Sequence, residues 1–426
     1  MQTKAFRLVA ILLAIILLAA SQVSLAQEPS VLTIWHYESP TGAMGIAWAA
    51  AIEQFQATHP GVTVELEERG FEEIRQTAPM ILNSDEVPDV MEYNKGNATA
   101  GFLSQQGLLT DLTEVALERG WDQILSPSLQ TTCLYEDGVM GSGAWYGVTN
   151  YGEYVMVYYN QDMFAEYGVE VPTTLEEFEA VMDTFVEAGI VPLSVGASEY
   201  PAQQIWYELV LSQVDRDWIN AFELYQGEVD FHGPEFVFGA EKMVDWVERG
   251  YIDPAATGIP AEDMGLAFES GQNPMMISGS WWYGRFMNEI QDFAWGTFLF
   301  PGNTFHPGSG GNIWVVPERA DAKELAYDFI DITMQPDIQN ILGNAGGVPV
   351  NADADAITDP QIQGLIANFN TIVETDGLAF YPDWPVPGYY DVLVSGVQEL
   401  IAGTMSPDEF LTYIEAPYAE QVAGLE

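Results

Sequence analysis

Three consecutive aromatic residues, Trp281-Trp282-Tyr283, offer the clearest surface for chemistry in the chain. They follow Pro274-Met275-Met276-Ile277-Ser278-Gly279-Ser280 and are closed by Gly284. The apolar run reads as a buried strand, and Gly279 lets the backbone turn with no Cβ in the way. Rings at the mouth of that turn sit where open α/β sheets hold their ligands, just past the carboxyl ends of strands. Flat aromatic faces there suit a flat, weakly polar ligand such as a sugar ring. The rival reading puts the same rings in the core. Neither GxSxG nor HExxH occurs, so no catalytic motif stands out. Cys133 is the only cysteine, which excludes a disulfide framework and a thiolate metal site. Binding without turnover and without a cofactor is the expectation.

The elements that must present this turn come from a long, acidic chain. Its 426 residues include 63 Asp+Glu against 12 Lys+Arg, a net charge of −51. Nucleic acid and anionic membranes are poor partners for such a surface. Residues 1–26 read as a cleavable signal peptide. Lys4 and Arg7 precede the apolar run Leu8–Ala20, and Ser24 and Ala26 are small residues before Gln27. Gln27 in place of cysteine argues against a lipid anchor, and the mature protein is expected in the periplasm or outside the cell. A remainder of this size exceeds one core, so two lobes are expected.

Taken in order, Val31–Tyr37 reads as a strand, Ala43–Thr58 as a helix, and Val62–Glu68 as a half-exposed strand. Phe71–Leu82 is then a helix and Val87–Tyr93 a strand. Strand–helix alternation of this kind implies a parallel, helix-flanked sheet. Two aromatic strand runs, Trp145–Val148 and Tyr154–Tyr159, are interrupted at Asn150-Tyr151-Gly152-Glu153, which reads as a crossing between lobes. Thr174 with Glu177 marks a capped helix start. Pro382, Pro385 and Pro387 stiffen the aromatic stretch Tyr381–Tyr390.

The ordered set of motifs resembles the solute-binding proteins of ABC sugar importers, the maltose-binding-protein-like group. It includes Ile34-Trp35-His36, Pro60-Gly61-Val62-Thr63-Val64, Val87-Pro88-Asp89-Val90 and Gly107-Leu108-Leu109. It continues through Tyr158-Tyr159-Asn160, Pro172–Phe178, Met276–Trp281 and Gly347-Val348-Pro349. The resemblance implies an α/β, two-lobed periplasmic-binding-protein fold (type II), with discontinuous domains and a cleft between the lobes. Lobe 1 would comprise 27–150 and 299–348, and lobe 2 would comprise 151–298 and 349–426. Crossings would fall near Tyr151–Tyr154, Phe298–Phe300 and Gly347–Val350. It also implies a carbohydrate ligand, an oligosaccharide in the first instance, closure of the lobes, and delivery by a monomer to the transmembrane subunits of an ABC permease.

Site residues follow from the same resemblance. The first-strand loop transfers as Trp35, His36 and Glu38, and the loop after the Pro-Asp-Val strand as Tyr93 and Asn94. The helix near Pro201 contributes Trp206, the aromatic turn Trp281, Trp282 and Tyr283, and the C-terminal loop Tyr381, Asp383 and Trp384. Aromatic faces stack on the C–H face of a sugar. Glu38, Asn94, Gln203 and Asp383 are suited to pairs of hydroxyls. A secreted glycoside hydrolase and a cation or iron receptor on the same fold are the competing readings.

Overall fold

The computed structural model describes residues 31–425; the signal segment at residues 1–26 lies outside them. Two sheets organise the chain. In the first, the strand order is Thr63–Glu68, Val31–His36, Val90–Tyr93, Ile313–Val315, Val148–Thr149. Its first three strands are parallel, as the strand–helix alternation predicts. Ile313–Val315 returns antiparallel against both Val90–Tyr93 and Val148–Thr149. Thr63–Glu68 is an edge strand, and of its residues only Val64 is even partly covered. That is more exposed than its alternating sequence suggests, since the strand pairs on one side only and just Val64 reaches the apolar layer.

The second sheet is built on one long strand, Tyr151–Asn160. Trp295–Phe298 and Met275–Gly279 flank its second half, and Leu193–Ser194 lies beyond. Gly308–Gly310 and Val348–Pro349 pair with its first half. The expected break at Asn150–Glu153 therefore shrinks to Asn150. Gly152 is a strand residue whose missing Cβ makes room for a ring: a Cβ there would lie 2.3 Å from Phe369.

The second crossing falls later in the chain than expected. Phe300 packs against Phe178 (centroids 5.7 Å apart) and Trp246 (6.3 Å) beside the second sheet. Gly308–Gly310 still pairs with the long strand. Only between Gly310 and Ile313 does the chain return to the first sheet, so residues 299–310 pack with the second. The resemblance puts that crossing near Phe298–Phe300, where the chain stays beside the second sheet.

Side-chain alternation sorts the interior into two apolar layers, one on each face of the sheets. Met91, Tyr93, Ile313, Val155, Val157 and Ile277 enter one layer. Val90, Trp314, Tyr154, Met156, Tyr158 and Met276 enter the other. Each layer runs through both lobes, so the lobes meet in apolar contact as well as across a cleft. Helix ends are fixed locally. Thr174 accepts from the Glu177 amide (3.2 Å) while Glu177 accepts from the Thr173 amide (2.8 Å).

Gly152→Ala is expected to cost about 1–3 kcal/mol, the usual penalty of overpacking, read as a lower urea midpoint. A second change, Phe369→Leu, should recover part of the loss. Unchanged stability in the single variant would show that the ring moves aside freely.

Candidate functional site

A cavity of about 260 Å3 lies between the lobes. Strand Met275–Gly279 delivers one wall. Past Gly279 the chain makes a single tight turn, Ser280–Trp282, and enters helix Tyr283–Glu289. Trp281 folds back over Gly279, where a Cβ would lie 1.9 Å from the indole. The Tyr158 hydroxyl donates to the Gly279 carbonyl at 2.8 Å and holds the turn from beneath. The indole of Trp281 then faces the cavity.

Aromatic contacts continue around the cavity and cross between lobes. Trp281 meets Tyr200 (6.0 Å) and Tyr381 (6.4 Å), and Tyr381 meets Trp384 (5.2 Å). On the other side, Tyr200 meets Phe71 (6.3 Å), which meets Tyr37 (5.3 Å). Phe71 opens a helix of the first lobe. Trp384 is pressed onto Gly96 of the first lobe; a Cβ there would lie 2.5 Å from the indole, and φ is +101°. Its carbonyl accepts from the Ala98 amide at 2.8 Å. Both the left-handed backbone and the close approach require glycine at 96.

The floor is polar. Lys95 Nζ donates to Glu153 Oε1 at 2.5 Å and to Asn312 Oδ1 at 3.2 Å. Asn312 Nδ2 donates to the Tyr151 hydroxyl (3.0 Å), which donates more weakly to Glu38 Oε1 (3.5 Å). Lys95 also lies over the rings of Tyr381 (5.6 Å) and Trp384 (5.3 Å), a favourable placement for a cation. At the rim, Arg285 binds both oxygens of Glu262 (2.7 and 2.9 Å) and sits over Trp282. Arg75 of the first lobe reaches Asp391 of the second at 2.8 Å and covers the Tyr390 ring.

Eight of the residues expected from sequence line this cavity: Glu38, Asn94, Gln203, Trp281, Trp282, Tyr381, Asp383 and Trp384. Five do not. Trp35 is buried in an apolar layer and lies under the Arg69 guanidinium, 3.7 Å away. His36 is buried and accepts from the Glu38 amide through Nδ1 (3.3 Å), so it holds the loop that carries Glu38. Tyr93 enters the apolar layer. Trp206 is fully buried, stacked on Phe236 and edge-on to Phe410. Tyr283 is core, packed on Trp295 (5.0 Å) and Tyr158. Trp281 and Tyr283 are two residues apart, roughly half a turn of helix, so the two rings point to opposite sides. Lys95, Glu153, Phe71 and Tyr200 were missed as lining residues. In a chain with only 12 Lys+Arg, a lysine within Asn94-Lys95-Gly96-Asn97 was the available signal.

Burial controls the charges. It pushes the Asp383 carboxyl up to about 6 and Glu38 up to about 7. Glu92 lies behind Glu38 and is held well above the usual carboxylate range by burial and by the Glu38 charge. Glu208 and Glu223, buried in the second lobe, are raised by burial too. His36 is pushed down to about 4 by burial. Carboxyls with raised values make the folded state bind more protons than the unfolded chain, so stability falls as pH rises through the raised values. His36 acts in the opposite direction below its ordinary value, one group against five. Repulsion within the acidic surface adds to the carboxyl effect. The melting temperature is therefore expected to be higher at pH 5 than at pH 8, at fixed salt, by calorimetry. A melting temperature that climbs with pH over this interval would contradict the assignment.

Comparisons with known proteins agree on the architecture. Residues 50–370, about three quarters of the chain, match the family described as bacterial extracellular solute-binding protein. A "Probable sugar-binding periplasmic protein" of Rhizobium meliloti (strain 1021) is 24% identical over 244 residues, 54% of this chain. The chain spans about half (53%) of that relative's length. A solved chitin oligosaccharide binding protein superposes with TM-score 0.79 at 21% identity, covering 93% of this chain and 100% of that one. A bacterial solute receptor, described as having an exclusive preference for β-D-galactopyranose, gives 0.78 at 19% identity, covering 93% and 100%. Two sheets joined by short crossings, a cleft between the lobes and the family match lead to one conclusion: the chain belongs to the bacterial extracellular solute-binding protein family.

Proposed function

We propose that the protein is the carbohydrate-binding component of an ABC importer, taking a short saccharide between its lobes and presenting it to a membrane permease. The observation that carries this is the composition of the cavity: an aromatic belt around a floor of hydrogen-bonding groups. A sugar ring has an apolar C–H face and a polar rim, and this arrangement complements both. Trp281 supplies a stacking face. Glu38, Asn94, Gln203 and Asp383 supply acceptors and two-way partners for hydroxyls. About 260 Å3 is just under the range typical of pockets for drug-sized ligands, which favours one or two rings.

The sugars that the relatives and solved neighbours are described as binding support the same ligand class. Binding without catalysis, export by cleavage before Gln27, a monomeric state and indifference to nucleic acid complete the proposal. Cavity walls from both lobes make closure a two-state equilibrium that the ligand shifts by contacts formed only when the lobes meet.

A thermal-shift screen over mono-, di- and trisaccharides tests the reading, since a ligand at 100 times its Kd stabilises by about 2.7 kcal/mol. No response to any sugar, or release of sugar from an oligosaccharide by the pure protein, would overturn it. With a responding saccharide, Trp281→Ala is expected to raise Kd about tenfold to a hundredfold by calorimetry, through lost stacking and burial. Tyr283→Ala should instead lower the melting temperature, because that ring is core.

A further inference from the structure

Glu92 is an acid in the middle of a buried strand, Val90–Tyr93, and is 1% exposed. Neither of its carboxyl oxygens has a hydrogen-bond partner of ordinary geometry among the described donors. The Tyr37 amide comes near without completing a bond. An isolated ionised carboxylate in such a place is costly enough that the group neutralises instead. The nearest cation is Lys95, and it is already held by Glu153 and Asn312.

What Glu92 does meet is another acid. The Glu38 carboxyl lies within hydrogen-bond reach of it, on the cavity side. Two carboxyls in contact cannot both be ionised, and the proton resides on the one with no other source of stabilisation. Glu38 has other support: the Tyr151 hydroxyl at 3.5 Å, the Lys95 charge, and an opening to the cavity. Glu153 on the long strand and the tyrosines at 37 and 151 are the remaining ionisable groups that face the pair.

We propose that Glu92 is a neutral carboxylic acid that donates its proton to Glu38, and that this bond positions the Glu38 carboxylate as the acceptor for a ligand hydroxyl. Glu92 touches no ligand itself; it is a positioning residue. The proposal rests on the saccharide reading of the cavity for its ligand, but not for the location of the proton. A sugar hydroxyl donates to an ionised acceptor more strongly than to a neutral one. Glu38, pushed up to about 7 by burial, should therefore bind ligand less well as pH falls below 7. Because one proton is linked, the loss is at most about tenfold in Kd per pH unit.

The test has a ligand-free arm and a ligand arm. Infrared difference spectra between wild type and Glu92→Gln at neutral pH, without sugar, should show one protonated-carboxyl band lost in the variant. A difference confined to ionised-carboxylate bands would overturn the proposal. The ligand arm uses the saccharide giving the largest thermal shift. Glu92→Leu, which lacks the donor, should raise Kd about tenfold or more, the loss of one hydrogen bond to a charged acceptor. Glu92→Gln, which keeps an N–H donor, should restore Kd to within about threefold of wild type. Glu38→Gln should bind weakly and with no pH dependence around 7. A folded Glu92→Leu that binds like wild type, or a wild-type Kd that is flat through pH 7, would overturn the positioning role. If the acid band is present and no sugar binds, the saccharide reading falls, and with it the role of Glu38, while the proton on Glu92 stands.

Discussion

The Lys95–Glu153 ion pair is the constraint around which the cleft is arranged. Its lysine sits on the loop after the third strand of the first sheet, and its glutamate on the long strand that founds the second. Both side chains are almost fully buried, at 1% and 6% exposure. A buried pair of this kind adds little to stability over apolar replacements, but losing one partner alone leaves an uncompensated charge and costs about 3–5 kcal/mol. Its worth here is geometric. Lys95 orients Asn312, which orients Tyr151, which reaches Glu38, and the same ammonium lies over two rings of the opposite wall. One charge thus registers the polar floor against the aromatic belt.

The two apolar layers set how the lobes are joined. Each layer crosses from one sheet to the other beside Asn150, Gly310–Asn312 and Gly347, where only short segments link them. The contacts that cross the cleft include the packing of Trp384 on Gly96, the Ala98 amide to Trp384 carbonyl bond, and polar pairs at the rim. The Arg75–Asp391 pair is one, with Asp391 68% exposed, and exposed pairs contribute about 0–1 kcal/mol. Asn288 to the Thr41 carbonyl at 3.3 Å is another. Weak polar contacts at the rim and a strong pair at the floor suit a hinge that pivots about its base.

Much of the fold was legible because its elements announce themselves locally. The first helix, Ala43–Thr58, the capped start at Thr174 and the strand before Gly279 needed only periodicity, capping and a turn residue. The second crossing, which the resemblance puts near Phe298–Phe300, falls later because residues 299–310 stay with the second sheet, and no local motif marks that. In the site, the motif located the aromatic turn but not the direction of each ring. Trp281 and Tyr283 differ by two residues on a helical turn and face cavity and core respectively. Trp35 and Tyr93 were misread for a related reason: a strand buried on both faces carries no polar alternation to say which side is the cleft. Phe71, Glu153 and the Glu92–Lys95 stretch come from separate elements, and only packing brings them together. Glu92 could have been noticed as a lone acid inside an apolar strand.

The account rests on a saccharide lying between the aromatic belt and the Lys95–Glu153 floor. A crystal structure of the protein with the saccharide that stabilises it most tests this directly. The predicted result is a sugar ring with its C–H face on Trp281 and a hydroxyl directed at Glu38, the Lys95–Glu153 pair remaining intact beneath it. Density for the sugar elsewhere on the molecule, or in the cleft with no ring against Trp281 and no contact to Glu38, would contradict it.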